Sequence, residues 1–258
     1  TVASCIKYLK DNSKANSKIY YSGQAYRRSK SLNKVINYQL GLEIFGSKNK
    51  SLDDLKVLKT ITNSINKIKI KNISIKVGDV SLFKQLIDSL KIPERWRMRL
   101  KRHFWRPQYF EDLLSRLETN SDVDSSAVEL DKKKFYEMKN IDQNKEVANR
   151  KVSEIISRFD RKIKDPRSFK ENKKTVKIIK NFLKINCPID KLEKTLNNFI
   201  NKNKLNESVF KDLSSLKNLS KLNSKITFST NFGRDIEYYS GVVFEIYNSS
   251  KKEIARGG

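Results

Sequence analysis

The spacing of apolar residues changes several times along the chain, and each change predicts an element. From Val2 to Leu9 apolar positions recur at helical spacing, which predicts a short opening helix. Two stretches rich in aromatic and β-branched residues follow, Lys18 to Arg27 (KIYYSGQAYR) and Val35 to Phe45 (VINYQLGLEIF). The polar run RSKSLNK between them suits a turn, so the pair reads as a long β-hairpin. After Gly46, SLDDLKVLKTITNSINKI sets Leu52, Leu55, Leu58, Ile61 and Ile65 at helical spacing behind an N-cap at Ser51 and an acidic first turn. ISIKVGDV then alternates as a strand, and SLFKQLIDSL reads as a helix opened by Asp79 or Ser81.

From Pro93, well placed at a first helical turn, the pattern is helical and heavily charged, without an obvious strand, to about Leu222. TNSDVDSS reads as a loop, and Asp165-Pro166 and Cys187-Pro188 mark helix boundaries. VSEIISRF, TVKIIKNFL, IDKLEKTLNNFI and VFKDLSSLKNL each predict a helix, with no repeat of fixed period. The β pattern returns in KITFSTNF, EYYSGVVFEIYN and KKEIA. The simplest assembly is an α+β fold, an antiparallel sheet flanked by helices and interrupted by a helical insertion. The expected parts are 1–92 and 223–258 as the two pieces of one core, with 93–222 as the insertion.

Composition narrows the function classes less than charge first invites. The 258 residues carry 55 Lys+Arg against 29 Asp+Glu, a formal net charge of +26, which is a polyanion-binding signature. Yet the basic residues are mostly Lys, spread over the whole length among abundant Asn, Ile and Ser, a mixture that AT-rich codon usage generates. Charge therefore does not by itself point to specific nucleic-acid binding. PERWRMRLKRHFWRP interleaves basic and aromatic residues, but Trp96, Leu100, His103 and Phe104 fall on one helical stripe, the mark of a docking or core helix. No run approaches a membrane span, and the start has no signal region, so the expectation is a soluble, cytoplasmic protein. Cys5 and Cys187 lie far apart, and the one histidine, His103, cannot complete a zinc set with them; no disulfide, metal or other cofactor is expected. The chain opens without Met and stops at Gly-Gly as if within a motif, so it reads as truncated at both ends.

Two blocks carry a family resemblance. FGRDIEYYSGVVFEIY followed by IARGG resembles the histidine-specific segment and Gly-Gly strand of histidyl-tRNA synthetases and of their paralogue, the regulatory subunit of ATP phosphoribosyltransferase. IYYSGQAYRRSK and NYQLGLEIFG resemble motif 2 of the same class II synthetase family, two antiparallel strands framing a ligand pocket. VGDVSLFKQLIDSLKIPERWRMRLKRHFWRP resembles the stretch leading into the helical region of the regulatory subunit. The resemblance implies a class II synthetase-like core.

It also assigns roles. Gln39 and Glu43 match the polar pair that holds free histidine. Four residues apart on a strand, they share a face about 13 Å apart, enough to grip both ends of a small amino acid. Tyr239 matches the tyrosine at the imidazole, Tyr238 lines the same region, Arg234 matches the arginine at the substrate carboxylate, and Thr1 matches an upstream histidine contact. Arg27 matches the motif 2 arginine that sits at the ATP α-phosphate, but the glutamate used for adenine two positions later is Ser29 here, and the hairpin loop is short. A histidine site kept beside an eroded ATP site, with no catalytic residue assigned, favours a regulator over a ligase. The implied protein is a non-catalytic regulatory subunit that needs a short-form ATP phosphoribosyltransferase catalytic subunit, takes histidine as effector, and forms a homodimer within a hetero-oligomer. The alternatives are a histidyl-tRNA synthetase and a synthetase-like RNA-binding paralogue. Each residue also has a plainer reading: Gln39 and Glu43 as solvent-facing strand positions, the arginines as surface charges, and Tyr238 and Tyr239 as sheet residues pointing to opposite sides.

Overall fold

The structure, a computed structural model, describes residues 2–12, 16–26, 36–119, 125–163, 169–222, 224–234 and 238–258. In chain order it forms α1 (Val2–Asn12), β1 (Ser17–Tyr26), β2 (Ile36–Phe45), α2 (Lys50–Lys67), β3 (Ser74–Asp79) and α3 (Val80–Ser89). Then come α4 (Glu94–His103), α5 (Pro107–Thr119), α6 (Ser125–Lys139), the two-residue strands β4 (Glu146–Val147) and β5 (Arg150–Lys151), α7 (Val152–Ile163) and α8 (Phe169–Leu183). The chain ends with β6 (Asn186–Pro188), α9 (Leu192–Asn203), α10 (Ser214–Leu219), β7 (Lys225–Ser229), β8 (Val242–Tyr247) and β9 (Glu253–Gly257). These elements make two compact units: Thr1–Lys71 with Ser214–Asn223, and Asn72–Leu213 with Ser224–Gly258.

The first unit holds the hairpin. β1 and β2 pair antiparallel from Ser17 opposite Phe45 to Tyr26 opposite Ile36, and Tyr8 of α1 stacks on Phe45 with ring centroids 4.6 Å apart. The helix after Gly46 starts earlier than its sequence implies. Its N-cap is Asn49, whose Oδ1 accepts from the Leu52 N–H at 3.2 Å. Ser51 is not the cap because its hydroxyl accepts instead from Asn218 of α10 at 2.8 Å. The VFKDLSSLKNL segment is likewise not one helix. A 3-10 turn at Glu207–Val209 and a break precede α10, because Phe210 packs against Phe182 in the second unit while Leu216 is buried in the first.

The second unit is built on a five-stranded sheet in the order β6-β7-β3-β8-β9. Its seams are antiparallel except for β3 with β7, which run parallel, as a long helical crossover permits. One face is uniformly apolar: Ile75 and Val77, Ile226 and Phe228, and Phe244 and Ile246 are all buried. β6 falls where the sequence showed no strand, and Cys187-Pro188 ends this strand rather than a helix. Three residues are too few for an alternation to register.

Asp79 caps α3 by accepting from the Ser81 N–H at 2.8 Å, and Pro93 stands one step outside α4, as its N-cap. The expected stripe on α4 is present: Trp96, Leu100 and Phe104 are buried, and Phe104 stacks on Phe83 of α3 at 3.7 Å. His103 packs edge-on against Tyr109, a packed histidine. No helix among the described residues is long and apolar enough to cross a membrane.

Candidate functional site

The hairpin register decides what surrounds Gln39 and Glu43. Gly23 lies opposite Gln39, Tyr21 opposite Gly41, and Ile19 opposite Glu43, so these six residues share one face of the ribbon. Gly23 and Gly41 contribute no side chain to it. The Tyr21 ring lies over Gly41, where any Cβ would collide with it, while the space above Gly23 is open. From there the Tyr21 hydroxyl accepts a hydrogen bond from Gln39 Nε2 at 3.1 Å. A polar amide and a carboxylate thus stand on one face with an aromatic ring between them, beside a position left bare. That combination suits a small zwitterion carrying a flat ring. Tyr21 was not singled out from sequence. The signal was Gly41 itself, a strand-interior glycine two positions from Gln39 on one side and from Glu43 on the other, which marks the close approach of another group.

Arg234, Tyr238 and Tyr239 belong to the second unit. Arg234 is only 5% exposed. Its Nε donates to the Phe104 carbonyl at 2.9 Å and its Nη1 to Asn231 Oδ1 at 2.8 Å, while the guanidinium lies 4.6 Å and 4.8 Å from the Phe104 and Phe110 ring centres. The segment leading to it is fixed from below. Thr230 donates through its N–H to the Ile185 carbonyl at 3.2 Å, and Gly233, with φ of +79°, lies where a side chain would strike Val243. The guanidinium is thus held on several sides, and Arg234 is among the residues lining a groove that also holds Gln108, Lys180 and Lys184.

Tyr238 and Tyr239 do not sit on a strand, since β8 begins only at Val242. They do not point to opposite sides either: their rings touch at 4.7 Å and 62°. The irregular backbone before β8 removes the strand alternation that would have separated them. Tyr238 is exposed and Tyr239 half-buried, with Gly258 close against the Tyr239 ring. Thr1, Arg27 and Ser29 lie outside the described residues. No group of three or more His, Cys, Asp or Glu able to hold a metal ion occurs among the described residues.

Along residues 2–258 the sequence matches the protein family described as Histidyl-tRNA synthetase. The chain belongs to the histidyl-tRNA synthetase family. Among curated proteins it is similar to the ATP phosphoribosyltransferase regulatory subunit of Mesorhizobium japonicum, 22% identical over 276 residues that cover 100% of this chain and 74% of the relative. The protein of that name from Clostridium acetobutylicum is 32% identical over 108 residues, 41% of this chain and 26% of the relative. Among solved structures, the ATP phosphoribosyl transferase (HisG:HisZ) complex from Thermotoga maritima matches at a TM-score of 0.51 and 18% identity, covering 100% of this chain and 73% of that one. Histidyl-tRNA synthetase from Nostoc sp. PCC 7120 matches at 0.51 and 15%, covering 99% and 50%. These structural likenesses show the fold: a mixed α/β architecture with a central sheet flanked by helices, as expected from the sequence.

Proposed function

We propose that the protein is the non-catalytic regulatory subunit of ATP phosphoribosyltransferase, the enzyme of the first step of histidine biosynthesis, and that it senses histidine. The observation that carries this reading is the alignment of the whole chain with relatives bearing that name. The retained Gln39 and Glu43 face, with Tyr21 braced between them, supports the histidine part, and Ser29 in place of the adenine-binding glutamate speaks against ATP use. In this reading Gln39 and Glu43 take the amino acid, with Thr1, Arg234, Tyr238 and Tyr239 as the further contacts and Arg27 as a vestige of the phosphate site. The partner is a short-form catalytic subunit, within a cytoplasmic hetero-oligomer built on a homodimer of this subunit. Residues 1–92 and 223–258 form the synthetase-like core around the insertion 93–222. Histidine acts by linkage: it shifts the complex between active and inhibited arrangements by no more than its difference in affinity for the two.

The second reading is a histidyl-tRNA ligase, favoured by the family match itself. Calorimetric titration with histidine and, separately, with ATP divides them. The regulatory reading expects histidine to bind and ATP not to bind, and expects Gln39→Ala and Glu43→Gln each to weaken histidine about tenfold or more, since each strips one partner from a polar ligand. ATP binding with histidyl-adenylate formation makes the protein a ligase.

A further inference from the structure

The hairpin has a second face that the residues proposed for histidine do not use. Cross-strand register puts Tyr20 and Tyr26 of β1 with Ile36, Tyr38 and Leu40 of β2 on the side of the ribbon opposite Gln39 and Glu43. All five are exposed, from 49% at Ile36 to 82% at Tyr38. An antiparallel sheet with one open face ordinarily turns polar residues toward water on it, so an open face this apolar marks a contact surface. The face is also nearly uncharged: of its ten residues only Lys18, in the end pair with Ile44, carries a charge. Three of its polar side chains already pair with one another. The Tyr26 hydroxyl donates to Gln24 Oε1 at 3.0 Å, and Gln24 Nε2 donates to the Tyr38 hydroxyl across the ribbon at 3.4 Å. Removing water from the face therefore leaves those groups hydrogen-bonded.

We propose that two copies of the chain meet through this face, each laying its ribbon against the other. The inference rests on the homodimer in the reading above and gives that homodimer a surface. Charge selects the occupant. Two chains of formal net charge +26 repel over most of their surfaces, and a patch with one lysine at its end is where that repulsion is least. An uncharged face offers no electrostatic pull to an acidic partner or a polyanion, whereas it suits its own copy, as a two-fold contact requires. The area is of the right order: three largely exposed tyrosines with Leu40 and Ile36 present roughly 600 Å², against the ~800 Å² that each partner gives to a stable interface. Leu40 stands in the middle of the five cross-strand pairs of this face, so a two-fold axis crossing the ribbon there brings the two Leu40 side chains together.

The test is sedimentation equilibrium of the full chain at physiological salt, with far-UV circular dichroism confirming that each variant is folded. The wild-type chain is expected to dimerise at roughly 50 µM. Tyr38→Lys and Leu40→Lys, which set like charges against each other across the axis, are each expected to weaken the dimer about tenfold or more. Leu130→Lys on α6 adds the same charge at another exposed leucine and is expected to change dimerisation less than about twofold. All three positions are exposed, so the fold tolerates the changes. A chain that is monomeric at that concentration overturns the proposal and leaves the face to a different partner. A dimer weakened no more by Leu40→Lys than by Leu130→Lys overturns it while leaving the homodimer standing. Neither Tyr38 nor Leu40 belongs to the histidine reading, so either failure leaves histidine sensing untouched.

Discussion

Tyr247 on β8 donates its phenol proton to Glu245 two residues before it, and its pKa is pushed up to about 12, first by that hydrogen bond, then by burial and by the charges of Glu245 and Glu253. An unfolded tyrosine ionises near 10. A folded value above the unfolded one means that this group contributes stability below about pH 10 and loses it as pH rises through about 12. A tyrosinate absorbance titration of the protein against Tyr247→Phe is expected to isolate one phenol with a midpoint near 12; a difference midpoint near 10 contradicts the Glu245 contact. At this scale sequence was uneven. Gln39 and Glu43 were legible because a strand's period of two puts them on one face whatever else the chain does. Tyr21 was not, since its role depends on the cross-strand register that brings it opposite Gly41. The contact between Tyr238 and Tyr239 was misread because strand alternation was extended back across the pair, whereas β8 starts only at Val242.

Between elements, the packing of α10 on α2 rests on two polar contacts far apart in sequence: Ser215 donates to Asp54 at 2.8 Å and Asn218 to Ser51 at 2.8 Å. Burial raises the Asp54 pKa above 3.8, opposed by the Ser215 hydrogen bond and by Lys50. A raised folded pKa means that ionising Asp54 costs stability as pH climbs through that window. Removing the Ser215 donor deepens the cost. Ser215→Ala is therefore expected to destabilise by about 1 kcal/mol at neutral pH, and by less at a pH acid enough to protonate Asp54, as read by urea unfolding at the two pH values. An equal loss at both, or none, removes the role given to Asp54. The long elements, the hairpin and α2, α3 and α4, were legible because each carries a strong period. Those that failed to show were short or owed their limits to distant partners: β6 is three residues long, and the break before α10 exists because Phe210 and Leu216 serve different cores.

For the whole molecule, the formal charge of +26 makes attraction to polyanions a background that any binding experiment must separate from a site. Fold class was legible from the order of helical and alternating segments, and the family from two short blocks whose residue order carries the resemblance. The parallel seam between β3 and β7 was hidden, since no local pattern distinguishes a strand's direction within a sheet. The central claim is that this chain regulates a separate catalytic subunit. It is tested most directly by assaying a short-form ATP phosphoribosyltransferase catalytic subunit with and without this protein, at rising histidine concentration. Activation by the protein that histidine then reverses, and that Glu43→Gln makes insensitive to histidine, is the predicted result; a transferase rate unchanged by the protein at every histidine concentration contradicts it.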